Sequence, residues 1–390
     1  MIQFDFIKEF NDEAFYDNHT HLLFTDKPSV TVEEFALNYY HGIRDAQDAE
    51  GAPCPSGTAF GHMKYQAVIQ TLVHAMSQRF GCGETLEDVV AFRNGRTKTP
   101  EGLKAYTKML YEDQRVSGCT LDNALPMGHP DTLCFPCPVN RLFQYENVLF
   151  DQVKEAGSYD AALQAVLEAV TAAAKEGFAG LKGHIGEKCG FAVREVPDEE
   201  ARSAFGAARK GDKAAVTTVY YAIFSHLLER CAELDIPLHL HTGSTGFKGR
   251  TDFYTLDPIL MAPFLKNPRY LKTKIVLLHE SFPYTRHAAM MACNFPNVYL
   301  DLSQTLPWQP LLFSRCLEDA LSVTPHDKIM LGTGQHWYAE MVWLAAYIAK
   351  RSLARVMGTF VEDGLLSGAQ ARRSARMVLS GNAHALYHMA

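Results

Sequence analysis

Two histidines one residue apart, at the end of a short apolar run, occur twice in this chain: His19 and His21 in YDNHTH, His239 and His241 in PLHLHTG. On an extended backbone alternate side chains share a face, so each pair delivers two imidazoles to one side of a strand end. Two such imidazoles and a third from a neighbouring strand form the ligand set of a hydrolytic divalent-metal site. His19, His21 and His241 are the first trio to consider. Any one of them alone reads as readily as a satisfied core histidine. The repetition favours ligands, because IVLLHE at 275–280 and KIMLGTGQH at 328–336 end the same way. His279 could bind a second ion or stay free to polarise a substrate carbonyl. Lys182 lies inside the apolar run FAGLKGHIG, where a lysine is costly unless paired, neutralised or modified. Carbamylated, it would bridge two metals; unmodified, it would be a cationic substrate clamp. The expected cofactor is zinc, or manganese, as one or two ions.

Side chains placed in this way need parallel strands that share a rim. Apolar strands running into His or Gly and then into a helix are what a TIM (β/α)8 barrel presents at its C-terminal face. Eight strand candidates can be placed, and from 178 onward strands and helices alternate regularly, through helices near 158–177, 213–235 and 338–358. The C-terminal QARRSARMVLSGNAHALYHM reads as helix split at Ser380-Gly381-Asn382. Residues 31–115 carry helical patterns broken by GAPCPSG and FRNGRTKTP, too long for a barrel loop. The expectation is one α/β barrel domain over 1–390, with 31–115 a helical insertion that could wall one side of the pocket.

Composition narrows the partners. Hydrophobic residues make up 47% and charged ones 21%, enough apolar content for a large core. The net charge of −7 comes without a Lys/Arg run, which argues against nucleic acid or an anionic membrane and for a small-molecule substrate. The N-terminal stretch lacks the pattern of a secretory signal, and no run approaches the ~18 apolar residues of a membrane span. Nine scattered cysteines do not form a disulfide framework, so a reducing cytoplasm is expected. Cys134 and Cys137 form a lone CxxC, read as neighbouring thiols. A homo-oligomer is also expected.

The HTH of 19–21, the Lys182 strand, HLHTG, the run LLHESFPYTRHAAMMACNFPNVYLDLSQTLPW and the terminal SGNAHALYH together resemble the amidohydrolase superfamily. More narrowly they resemble its relatives found free in bacteria and fused to glutamine-synthetase-like domains in plants and fungi. The likeness is specific over about 230–387 and weak in the insertion. It implies a metal-dependent hydrolase on a TIM barrel. One departure stands out: where the family pattern carries an aspartate at the end of the eighth strand, this chain has Gly334, within Gly332-Thr333-Gly334-Gln335-His336. In the family that aspartate is a metal ligand and the proton acceptor, so either another group stands in or the reaction is a different one. His336, Gln335, Glu280 and Glu340 are the candidates. Arg141, in the family's Arg-containing segment, could clamp a substrate carboxylate or sit in a surface ion pair. His184 takes the place of a family Tyr-Arg pair and is a second candidate for substrate binding. Trp337, with Tyr338 and Trp308, would line the mouth or pack against the insertion.

The leading reading is a hydrolase of a C–N bond in a small carboxylated substrate, with His279, His336 and Lys182 catalytic. Decarboxylation or uronate-type isomerisation on the same barrel, and a catalytically silent metal binder, are the other two classes.

Overall fold

A computed structural model of the chain describes residues 5–38, 61–243 and 253–389. Eight parallel strands follow one another in sequence order: β1 (Phe15–Thr20), β2 (Val116–Asp122), β3 (Val139–Gln144), β4 (Gly180–Gly183), β5 (Leu238–His241), β6 (Ile275–Leu278), β7 (Val298–Asp301) and β8 (Ile329–Met330). The register sets Gln144 beside Lys182, Lys182 beside His239, and Asp301 beside Met330. The ring closes because the chain after β8 runs along β1. Asn18 N–H donates to Leu331 O at 2.9 Å, Thr333 N–H to His19 O at 3.1 Å, and His21 N–H to Gln335 O at 3.0 Å. The fold is the α/β TIM barrel that the strand ends require, and strands such as IVLL are apolar throughout because both faces are covered.

The outer helices bury one stripe each. Tyr159–Glu176 starts where Ser158 accepts from Ala161 N–H, packs Ala162, Val166, Val170 and Ala173 inward, and stops at Gly177, whose φ of 98° a side chain would resist. In the segment after β1, helices form at Val32–Leu37, Ala67–Phe80, Leu86–Arg96 and Pro100–Asp113. The expected break at FRNGRTKTP falls later than its Asn and Gly suggest. Asn94 to Arg96 stay helical because Arg93 is anchored to the buried Glu340 at 3.3 Å and Asn94 bonds both backbone groups of Val30. GAPCPSG lies outside the described residues. Trp343 donates to Asp113 at 2.7 Å, so these helices stand mainly against the long helix Ala339–Glu362. At the rim, Asn38 donates to His336 O at 2.7 Å.

The C-terminal segment does not break at Ser380-Gly381-Asn382. Helix Gly368–Arg376 passes through a wide π turn, Met377–Gly381, into Asn382–Leu386. Asn382 explains the continuity, since it donates to His326 O and Ile329 O, both at 2.7 Å, and ties the turn to β8. Ala383, Leu386 and Tyr387 then fill the N-terminal end of the barrel against Tyr16, Val276, Leu278 and Met330.

Candidate functional site

The mouth begins with β1. Its register slips between Asp17 and Thr20, and above the slip His19 and His21 both face the barrel axis. Asp122 at the end of β2 meets them: ligand atoms of His19, His21 and Asp122 all lie within 4.8 Å of one another. His21 Nδ1 is 3.0 Å from Asp122 O. Burial opposes the charge on Asp122, but the Lys182 ammonium prevails and holds its carboxyl far below the ordinary range. Burial and then the Lys182 charge keep His19 neutral, and burial takes His21 down to about 4. Neutral imidazoles beside an ionised carboxylate are the donor chemistry of a divalent cation.

Lys182 on β4 is buried and paired. Its Nζ donates to Asp122 Oδ2 at 2.8 Å and lies 2.9 Å from His184 Nε2. His184 is in turn held by Glu146, which accepts from its backbone N–H at 2.7 Å and sits 3.2 Å from its Nδ1. The buried Glu146 also accepts from Tyr220. The carboxylate at Nδ1 leaves Nε2 as the acceptor facing Lys182.

Across the mouth, His279 Nε2 is 3.0 Å from His241 Nδ1, and Ser303 Oγ is 2.9 Å from His279 Nδ1. The rings of His19 and His279 are 5.0 Å apart. His241 therefore reaches the His19 cluster through His279, while Asp122 joins His19 and His21 directly. Three successive positive φ angles, at His279, Glu280 and Ser281, end β6 in a tight turn. This turns Glu280 outward beside Thr285, Thr305 and Cys316, where burial pushes its carboxyl up to about 8.

The segment after β8 carries no acid into the mouth. Gly334 has φ of 58°, and a Cβ there would stand 2.9 Å from Gln304 Cγ, aimed at the chain after β7 and at Trp308. Gln335 donates to Thr20 Oγ1 and His21 O, which braces β1. His336 lies flat on His21, ring centres 3.8 Å apart. Glu340 is committed to Arg93. Asp17, which accepts from Thr333 N–H at 2.8 Å and from Thr333 Oγ1 at 2.7 Å, is one acid built into this corner, and Asp301 on β7 is another. A Cβ on Gly332 would stand 2.9 Å from its Oδ2, so the glycine makes room for that carboxyl. Arg141 is turned into the β2–β3 loop, donating to Pro126 O and Asn123 Oδ1 at 2.6 and 2.7 Å and also to Leu125 O. These bonds make it a brace for that loop rather than half of a surface ion pair. Trp337, 40% exposed, stacks on Phe24 at the rim.

His19 tests whether a cation fits. It is fully buried, and neither ring nitrogen has a hydrogen-bond partner. An unsatisfied buried polar group costs about 1–3 kcal/mol. A divalent ion between His19, His21 and Asp122 removes that cost with ligands of suitable type, and His279 stands within reach as a further one.

Sequence reasoning missed Asp122, Ser303 and Asp301. Asp122 and Asp301 carried one usable signal, since each is the acid that ends an apolar strand, as the histidines do elsewhere.

Comparison with known proteins bears on the fold and the family. The chain superposes over 98% of its length on a protein of Lactobacillus casei provisionally assigned as a metal-dependent hydrolase, at 22% identity, 97% coverage of that protein and a TM-score of 0.82. It does so, over the same share of its length, on the uronate isomerase of Thermotoga maritima (16% identity, 96% of that chain, TM-score 0.73). Both likenesses are of fold. In sequence it is 33% identical over 160 residues to protein fluG of Emericella nidulans, which is 39% of this chain but 17% of that protein, so the chain spans a small part of this relative. The amidohydrolase family model matches residues 152–389, from the helix that follows β3 through Lys182, His241 and His279 to the C-terminal plug, and the chain belongs to that family.

Proposed function

We propose that this chain is a metal-dependent hydrolase that cleaves a C–N bond in a small carboxylated substrate, with zinc, or manganese, as its ion. The observation that carries the reading is His19, buried with two unpartnered nitrogens beside His21 and Asp122. A divalent ion held there would polarise the substrate carbonyl and acidify the attacking water. The chain's own residues supply the rest. Asp122 and His184 engage two of the three Lys182 N–H donors, leaving one for a substrate oxygen. Ser303 and His241 fix the ring of His279 so that it can assist at the carbonyl. His336, stacked on His21, is the base that replaces the missing aspartate. A small-molecule substrate without nucleic acid or membrane, a cytoplasmic setting and a homo-oligomer go with this reading.

A second reading, isomerisation of a sugar acid or decarboxylation, is favoured by one feature. The backbone at Gly334 is wound so that no carboxylate projects from β8 into the mouth. The metal-loaded protein, incubated with amides, carboxylated aromatics and uronates, separates them by product mass. A product heavier by one water supports hydrolysis, loss of CO₂ a lyase, and unchanged mass an isomerase. A folded, metal-free protein whose stability ignores added zinc overturns both.

A further inference from the structure

The CxxC at 134–137 does not pair within itself. Cys134 donates instead to Asp131 O at 2.9 Å, and the thiol of Cys137 points at Cys119 on β2, sulfur to sulfur 4.0 Å. The backbones are already tied at this point, for Cys119 N–H donates to Pro138 O at 3.0 Å and Cys119 faces Val139 in the parallel register. Cys119 is fully buried beside Tyr111, whereas Cys137 is partly open. A disulfide has a sulfur separation of about 2.05 Å, so closing the gap needs about 2 Å of side-chain movement between strands already in register.

We infer that Cys119 and Cys137 are an oxidation site, a dithiol that a peroxide converts to a disulfide between β2 and the entry to β3. The Cys137 sulfur, the accessible one, attacks a peroxide oxygen. The S–O bond forms as the O–O bond breaks, and one water leaves with the sulfenic acid formed. The Cys119 sulfur then displaces the sulfenic hydroxyl, which takes the Cys119 proton and departs as a second water. Two thiols are oxidised and one peroxide is reduced. Burial pushes the Cys119 thiol well up, in keeping with its place as the second, resolving partner. The bond would brace the β2–β3 connection, which carries Asp122 and the loop held by Arg141.

The cleavage sites suit a direct test. The intact protein is treated with hydrogen peroxide, alkylated, and cut with trypsin at Arg115 and Arg141 and with Asp-N before Asp122 and Asp131. Cys119 then lies in 116–121, and Cys134 with Cys137 in 131–141. The expected product joins the two fragments and is lighter than their sum by two hydrogens. Cys134→Ser should leave it intact and Cys137→Ser should abolish it. A disulfide confined to 131–141 overturns the inference. So does full alkylation of Cys119 and Cys137 under conditions that oxidise the exposed Cys293. Cys137→Ser, at a partly open position, keeps the test informative should a change at buried Cys119 misfold.

Discussion

The floor and the mouth of this barrel are lined by the same kinds of side chain but differ in how those chains are partnered. At the floor, Tyr16 OH meets Thr120 Oγ1 at 3.0 Å and accepts from Asn140 at 2.9 Å. Tyr387, brought in by the C-terminal plug, donates to Asn18 at 2.8 Å and lies 3.1 Å from His239 Nε2. At the mouth, His19 is as buried as His239 and neither nitrogen of its ring has a hydrogen-bond partner. His239 and His19 are both kept neutral by burial, the former at about 3. The buried ring of His239 has a protein partner at the floor, whereas the ring of His19 has none and is suited to something that arrives from outside. Position in the barrel, not residue type, separates structure from function here.

His19→Ala is the sharpest way to break that contrast. It should lower metal affinity more than the ~10–100-fold typical of losing an outer-shell partner, read by elemental analysis after dialysis. Tyr387→Phe removes a floor hydrogen bond of comparable burial. It should leave metal content unchanged and cost about 0.5–1.5 kcal/mol in denaturant unfolding. Equal metal loss in both variants would erase the distinction between mouth and floor. Next in size is Lys182→Ala, which strands Asp122 in the interior. Breaking a buried pair by removing one partner costs about 3–5 kcal/mol. Activity should be lost and metal occupancy at least halved, while Lys98→Ala, in a polar turn, should do neither.

The contrast also explains what the sequence could disclose. The i, i+2 histidine pairs and the apolar runs before them were legible because strand periodicity is local. So was Lys182, because a lysine in an apolar run needs a partner. The identity of that partner was not legible. Asp122 lies 60 residues earlier, and only the register of β2, β3 and β4 brings the two together. The slip in β1 was hidden for the same reason. Before it Tyr16 faces inward and after it His21 does, a change of parity that alternation cannot foresee. The turn at 279–281 likewise rotates Glu280 away from a mouth to which its neighbour His279 belongs.

Gly334 tests whether the mouth lacks its acid by loss or by construction. A residue other than glycine at φ of 58° costs about 1–2 kcal/mol, with aspartate among the better tolerated, and the new Cβ must displace the flexible Gln304 side chain. If Gly334→Asp nevertheless brings its carboxylate to the metal, a general base is worth ~10²–10⁴-fold, and turnover should rise at least tenfold. A fall in kcat with metal content intact would mean that the mouth is built for another reaction. We expect no rise, since the glycine's Cβ direction points past the histidines to Gln304 and Trp308.

An effect confined to alkaline pH is expected at the floor's outer edge. Lys350, on the long helix, is buried and donates to Asn11 O and Gln114 O at 3.1 and 2.8 Å, the two residues that lead into β1 and β2. Burial, with Arg115 nearby, depresses its ammonium from the ordinary 10.5 to about 8. Below pH 8 the lysine is protonated both folded and unfolded, and the burial cost is constant. Between about 8 and 10.5 the unfolded chain holds the proton and the folded one has released it, so stability rises with pH, by at most about 1.4 kcal/mol per unit. Lys350→Met should remove that rise from the difference between its urea-unfolding profile and the wild-type profile, while leaving the mouth's metal content untouched. Parallel profiles from pH 8 to 10.5 would show that the two backbone carbonyls keep the ammonium charged, and that this staple is already satisfied in the way the rest of the floor is.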